Sequence, residues 1–387
     1  MGDAILKTEL CDMLGIEYPI LSAGMGPVAG GAEPVATANL VAAVSDAGGL
    51  GVIGGVAYHQ ERLREEIRAV RSMTDKPFGV DLLFASNFQE PVYGGGGQQI
   101  EPRRDLVPPE TKEALQRMAA SLEVDWQEDP TPMYSQVIPD GQSHVGAQME
   151  VVLDEKVPVL ASGLGSPGPW VDALHDNGAK VISLVGNVRA ARRVAEAGVD
   201  IVVAQGTEAG GHTGKIATLA LLPQVMDAVA PIPVMAAGGV ADGRSLAAVL
   251  SAGAIGAWCG TAFLVAEEAN QPELQQKRIL DAVTEDTVVT RLYSGKTMRN
   301  ITNPLIEAWE QSGIQALPMG LQGLLTRDLL YSIRQGGRDD LLMNAAGQAS
   351  GLLKDIRPAE DILDDMVSGA AGIIAGLQDR ISATPAT

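Results

Sequence analysis

The chain has 387 residues, 46% of them apolar, with 45 glycines and a formal net charge of -20. That length and apolar content support a large core and exclude a disordered chain. The negative charge excludes nucleic acid and acidic membranes as expected partners.

The amino terminus carries Asp3, Lys7 and Glu9 and has no apolar core segment, so no signal peptide is expected. No stretch approaches the about 18 uninterrupted apolar residues of a membrane span. A cytoplasmic globular protein is the expectation. Cys11 and Cys259 lie far apart and outside any CxxC motif, which argues against a disulfide framework or a cysteine metal site.

Short apolar runs then recur along the chain, separated by helix-like segments. They cover residues 18–25 (YPILSAGM), 50–55 (LGVIGG), 77–84 (PFGVDLLF) and 157–163 (VPVLASG). The later four cover 180–186 (KVISLVG), 200–206 (DIVVAQG), 232–239 (IPVMAAGG) and 256–263 (GAWCGTAF). Runs that are apolar on both faces are the pattern of parallel strands covered on both sides. Amphipathic helices are predicted over 62–73, 188–197 and 245–252, with Gly198 and Gly253 as stops for the last two. Strand alternating with helix, eight times over, predicts a (β/α)8 TIM barrel. An open doubly wound sheet is the alternative if one run is misread.

Two segments interrupt the pattern. Residues 85–156 are too long for one loop and helix, and predict an insertion after the third strand at about 85–142. It contains Gly94-Gly95-Gly96-Gly97, which reads equally as a mobile lid or a disordered surface insertion. Helices are expected at 109–122 and 143–155. Residues 265–346 predict a helical subdomain inserted after the eighth strand. The barrel is thus expected over 1–264, and 347–387 forms a C-terminal segment returning to it. Residues 361–377 would be its last helix.

In a parallel barrel the functional loops follow the C-terminal ends of the strands. Gly238-Gly239 follows the seventh run and Gly260-Thr261 lies in the eighth. Paired glycine turns there suit a phosphate held by backbone N–H groups, against the plainer reading of ordinary tight turns. Asp242 is a candidate helix cap. After the sixth run comes Gln205-Gly206-Thr207-Glu208-Ala209-Gly210-Gly211-His212-Thr213-Gly214. A histidine on a glycine-rich loop over a barrel mouth suits general acid–base work, although one that merely fastens its own loop has the same spacing. No second histidine stands at ligand spacing, so no metal is expected. His59, His144 and His175 lack such a context and read as surface or structural.

Residues 204–214 (AQGTEAGGHTG) resemble the signature of the nitronate monooxygenase family, formerly the 2-nitropropane dioxygenases, which FMN-dependent enoyl-ACP reductases and related ene-reductases share. Pro19-Ile20 to Ala23-Gly24-Met25 is similar to the family's first flavin-contacting loop. Pro233 to Ala237, Gly238 and Gly239, with Ala241-Asp242-Gly243 and then Gly260-Thr261, resembles its flavin-phosphate site. Ser294-Gly295-Lys296, Arg299-Asn300 and Gly347-Gln348-Ala349-Ser350-Gly351 are similar to its later motifs. The resemblance covers most of the chain outside about 88–139.

It implies FMN at the barrel mouth, with Gln205, Gly206, Gly210 and Gly211 along the flavin and His212 facing a small-molecule substrate. Oxidation of alkyl nitronates with O2 is the first activity it implies. The alternative is an ene or enoyl-thioester reductase acting on a bulky acyl substrate, with NADH or NADPH as reductant. A non-catalytic flavin-binding protein is the third reading, and the intact His212 argues against it. A homodimer is compatible with all of these. Two features depart from the family pattern: Asp81 stands where the family often has Asn, and the third-strand insertion is long. Asp81 is counted among the cofactor-side residues.

Overall fold

The structure is a computed structural model that describes residues 6–27, 33–84, 99–100, 104–130, 133–134 and 144–377. Eight parallel strands form one sheet: β1 (Ile20–Ser22), β2 (Gly51–Gly54), β3 (Phe78–Phe84), β4 (Val159–Gly165), β5 (Lys180–Val185), β6 (Ile201–Gln205), β7 (Val234–Ala237) and β8 (Ala257–Cys259). Their spatial order is β1-β8-β7-β6-β5-β4-β3-β2. A parallel bridge between Leu21 and Leu50 brings the two ends of that order together, so the sheet curls into a barrel. Each predicted run contains or overlaps its strand, and β4 runs two residues past the predicted end.

A helix follows every strand and covers the outside. The helix Gln60–Met73 starts two residues before its predicted span, because the His59 side chain accepts from the Arg62 N–H and caps it. Asn187 caps Val188–Glu196 in the same way. Asp242 caps Gly243–Ser251 as predicted, in a capping box with Ser245. The last helix, Ala359–Leu377, crosses Gly243–Ser251 so closely that a Cβ on Gly243 would stand 2.6 Å from the Cα of Gly369. His175 pairs with Asp200 at 2.9 Å on the exposed surface.

Leu21, Val52, Ala161, Ile182, Val203, Met235 and Trp258 fill the barrel interior. Leu10, Cys11 and Leu14 of the helix Glu9–Leu14 belong to the same cluster and close the bottom. The opening therefore lies at the C-terminal ends of the strands. Among the described residues no helix is long and apolar enough to cross a membrane.

The described part of the third-strand insertion is anchored. Its helix Pro109–Ser121 buries Leu115, Met118 and Ala119. Arg104 makes a two-pronged bond to Asp328 on the helix Leu321–Gln335, both contacts at 2.9 Å. The four-glycine run Gly94 to Gly97 lies outside the described residues. Residues 265–346 contain the helices Glu273–Asp281, Pro304–Ser312 and Leu321–Gln335. They also carry a β-hairpin that was not expected. Its strands Thr287–Thr290 and Met298–Ile301 pair antiparallel, and the second pairs with Gly211–His212 of the β6 loop. The β-branched run Thr287-Val288-Val289-Thr290 favours that extended form.

Candidate active site

The barrel mouth encloses a cavity of about 370 Å3, within the range of small-ligand sites. Ala23, Gly24, Met25, Asp81, Gln205, Gly210, Gly211, His212, Ala237, Gly238, Gly239, Gly260 and Thr261 all line it. Of the sequence-predicted residues only Gly206 lies behind the wall. A Cβ there would meet Thr218 Oγ1 at 2.0 Å and Glu208 Oε2 at 2.5 Å. Sequence reading missed the apolar walls Val56, Leu184, Trp258, Met298 and Met343, which sit inside or beyond runs read only as core.

His212 stands on the wall from the β6 loop. Its Nε2 lies 2.9 Å from Ser294 Oγ, in the turn of the hairpin. Burial, with Lys296 nearby, pushes its pKa down to about 4. The imidazole is therefore neutral at pH 7, and in the tautomer whose Nε2–H donates to Ser294 Oγ the lone pair on Nδ1 is free. Ser294→Ala is expected to lower kcat about five- to tenfold with KM and flavin content little changed, since one net hydrogen bond is worth about 1 kcal/mol. Ser294→Thr should restore the rate. Unchanged turnover in the alanine variant would show that the hairpin does not orient His212.

Glu208, the acid of the signature, points away from the cavity. It accepts from the Thr218 N–H at 3.0 Å and the Thr218 hydroxyl at 2.9 Å, so it fastens the start of the helix Thr218–Val229. The same hydroxyl contacts Gly238 O at 2.8 Å, which ties the β6 and β7 loops together. Arg299 is buried behind them and donates to Thr207 O at 3.0 Å. Burial lowers its pKa, and the charge of Glu208 opposes that.

Asp81 faces the cavity from the middle of β3. Burial drives its pKa up to about 8, against one hydrogen bond from the Gly163 N–H at 2.7 Å. It is therefore protonated at neutral pH. Among the described residues, Asp81 and His212 are the ionisable members of the lining, which holds no Lys or Arg.

The residues present fit a flavin. Gly238 and Gly239 both take left-handed backbone angles, φ 92° and 80°, and with Gly260 they put bare backbone against one end of the cavity. Backbone amides there can hold a phosphate without a cation. Beside them, Met25, Trp258, Leu184 and Met343 offer apolar faces for a planar ring system. A Cβ on Gly211 would meet nothing within 4 Å, so that residue leaves open space beside the imidazole. Residues 345–349 close over the loop, with Gly347 N–H donating to Thr261 Oγ1 at 2.9 Å and Gln348 N–H to Glu208 O at 2.9 Å.

A parallel barrel with a flavin-fitting mouth and a titratable histidine on its β6 loop defines an oxidoreductase enzyme. Residues 7–369 match the nitronate monooxygenase family model, and the chain belongs to that family. It is 35% identical to a Mycobacterium tuberculosis protein named as a monooxygenase, over 97% of this chain and 100% of that one. It is 33% identical to a Staphylococcus aureus protein named as a nitronate monooxygenase, over 94% of this chain and 97% of the relative. Among solved structures, nitroalkane oxidase from Streptomyces ansochromogenes superposes with a TM-score of 0.75 at 28% identity, covering 95% of this chain and 99% of that chain. FabK from Thermotoga maritima superposes at 0.73 with 30% identity, covering 97% and 100%. The family implies a flavin cofactor.

Proposed function

We propose that this chain is an FMN-dependent nitronate monooxygenase that oxidises small alkyl nitronates with O2. The observation that carries this reading is His212, uncharged and facing the cavity, with Ser294 on its Nε2. A base held in its free form suits removal of the α-carbon proton of a neutral nitroalkane. The glycine turns at Gly238-Gly239 and Gly260-Thr261 would hold the FMN phosphate, with Ala23, Gly24, Met25, Gln205, Gly210 and Gly211 along its ring. When bound, the flavin supplies the redox chemistry. The protein positions the substrate against it, removes the proton at His212 and excludes bulk water. The relatives named as nitronate monooxygenases and the nitroalkane oxidase likeness support the substrate class.

The likeness to FabK keeps the NADH- or NADPH-dependent reductase as the competing reading. Anaerobic mixing decides between them. Ethylnitronate should bleach the flavin absorbance rapidly, and NADH and NADPH should not. Bleaching by a pyridine nucleotide with none by ethylnitronate would reject the proposal.

A further inference from the structure

Asp81 is held in an unusual enclosure. A Cβ on Gly24 would fall 2.3 Å from Asp81 Cβ and 3.0 Å from its Oδ2. A Cβ on Gly163 would fall 2.9 Å from Oδ2 and 3.0 Å from Oδ1. Two glycines on different barrel loops thus pack directly against the carboxyl group. Oδ1 accepts the Gly163 N–H at 2.7 Å, and the side chain lines the cavity.

Among the described residues, no charged group compensates it. The segment after β1 contributes Gly24, and β4 contributes Gly163 with its N–H. Neither of these carries a titratable side chain at that point. His212 faces the cavity from the β6 loop, and the charge of Lys296 acts on it. A carboxylate ion without a cation partner is costly in such a site, whereas a neutral carboxyl group is not. The neutral group has an O–H to donate into the cavity it lines.

Resting on the nitronate reading above, we propose that Asp81 is a specificity-determining residue: as a protonated acid it donates a hydrogen bond from Oδ2 to an oxygen of the anionic substrate. Ionisation of Asp81 turns this donor into a like charge and expels the anion. The cavity then accepts small planar oxyanions only while the proton is in place. Asp81 acts by recognition, and the proton abstracted from carbon goes to His212.

The test uses flavin-loaded enzyme and propionate, a planar anion that shares the two-oxygen head of ethylnitronate and cannot be oxidised in its place. Binding is followed by calorimetry between pH 6 and pH 10. The wild-type Kd should stay level up to about pH 8, then rise about tenfold per pH unit as the acid ionises. Asp81→Asn keeps an acceptor for Gly163 and a donor for the anion, so its Kd should stay level across that range. Infrared difference spectra between pH 6.5 and 9.5 should show loss of a protonated-carboxyl C=O band in the wild type and none in Asp81→Asn.

An alkaline rise in Kd that persists unchanged in the asparagine variant would overturn the proposal, as would absence of the carboxyl band at neutral pH. These outcomes are separable from failure of the nitronate reading. An enzyme that ethylnitronate does not reduce, but that shows the band and the Asp81-dependent propionate profile, keeps the acid-donor assignment. An enzyme that turns over ethylnitronate with the same pH dependence of KM in both forms loses it.

Discussion

Replacing His212 with alanine should lower kcat/KM for neutral nitroethane by about 10^2- to 10^4-fold, the usual contribution of a positioned general base. Flavin content should stay at the wild-type level, because His212 reaches the cavity from a two-residue strand whose backbone pairs with Met298 and Arg299. Preformed ethylnitronate already lacks the α-proton, so its oxidation should fall far less. The pH profile gives a second readout. With a pKa near 4, His212 stays in its basic form down to that value, and the wild-type rate on nitroethane should hold through pH 6 and fall only below about pH 5. An ordinary histidine would lose its base form near 6.5. The same shift has a cost in stability. The unfolded state binds the proton between about 6.5 and 4 and the native state does not, so His212 lowers stability as pH falls through that window. His212→Ala should remove this part of the acid sensitivity. Equal loss on nitroethane and on ethylnitronate would reject His212 as the base and leave it a role in binding.

The barrel was legible because its strands are buried on both faces. Residues such as Val181, Ile182, Val202 and Val203 are all fully buried, and continuous apolar runs follow from that. The loops at their C-terminal ends were legible for a related reason, since glycine marks the places where backbone approaches a ligand or another loop. The contacts that support those loops were not. Ser294 meets His212 across 82 residues of sequence, through a hairpin whose second strand, Met-Arg-Asn-Ile, has no strong extended pattern. Glu208 is part of the signature loop, yet what it does depends on Thr218, ten residues on, whose N–H and hydroxyl make it a helix fastener. The resemblance puts Gly206 along the flavin; in the structure a Cβ there would press on Thr218 and Glu208, so the glycine makes room for that fastener. Asp81 was visible only through the resemblance, as an acid where the family often has Asn. Its protonation could not be read, because it depends on what packs against it from Gly24 and Gly163, far away in sequence.

The glycine turn after β7 is the other sensitive point. Gly238 and Gly239 both sit at positive φ, 92° and 80°, where a side chain costs about 1–2 kcal/mol of backbone strain. Their surroundings separate them. A Cβ on Gly238 would press at 3.0–3.1 Å on Gly206 O, Ala209 N and Thr218 Oγ1, whereas one on Gly239 would lie 3.6 Å from Glu208 Cβ. Two of the atoms facing Gly238 are backbone of the β6 loop, and the third is held by Glu208. They can yield only by shifting the loop that carries His212. Gly238→Ala should therefore weaken flavin binding at least about tenfold, the equivalent of the strain alone, and should also lower turnover of the enzyme that remains loaded. Gly239→Ala should weaken flavin binding with little effect on the loaded enzyme. Reconstitution of flavin-free protein, followed by absorbance and then by nitroethane turnover per bound flavin, measures both quantities. If the two variants lose flavin and turnover alike, the β7 turn acts only on the cofactor and the link through Thr218 to the β6 loop carries no catalytic weight.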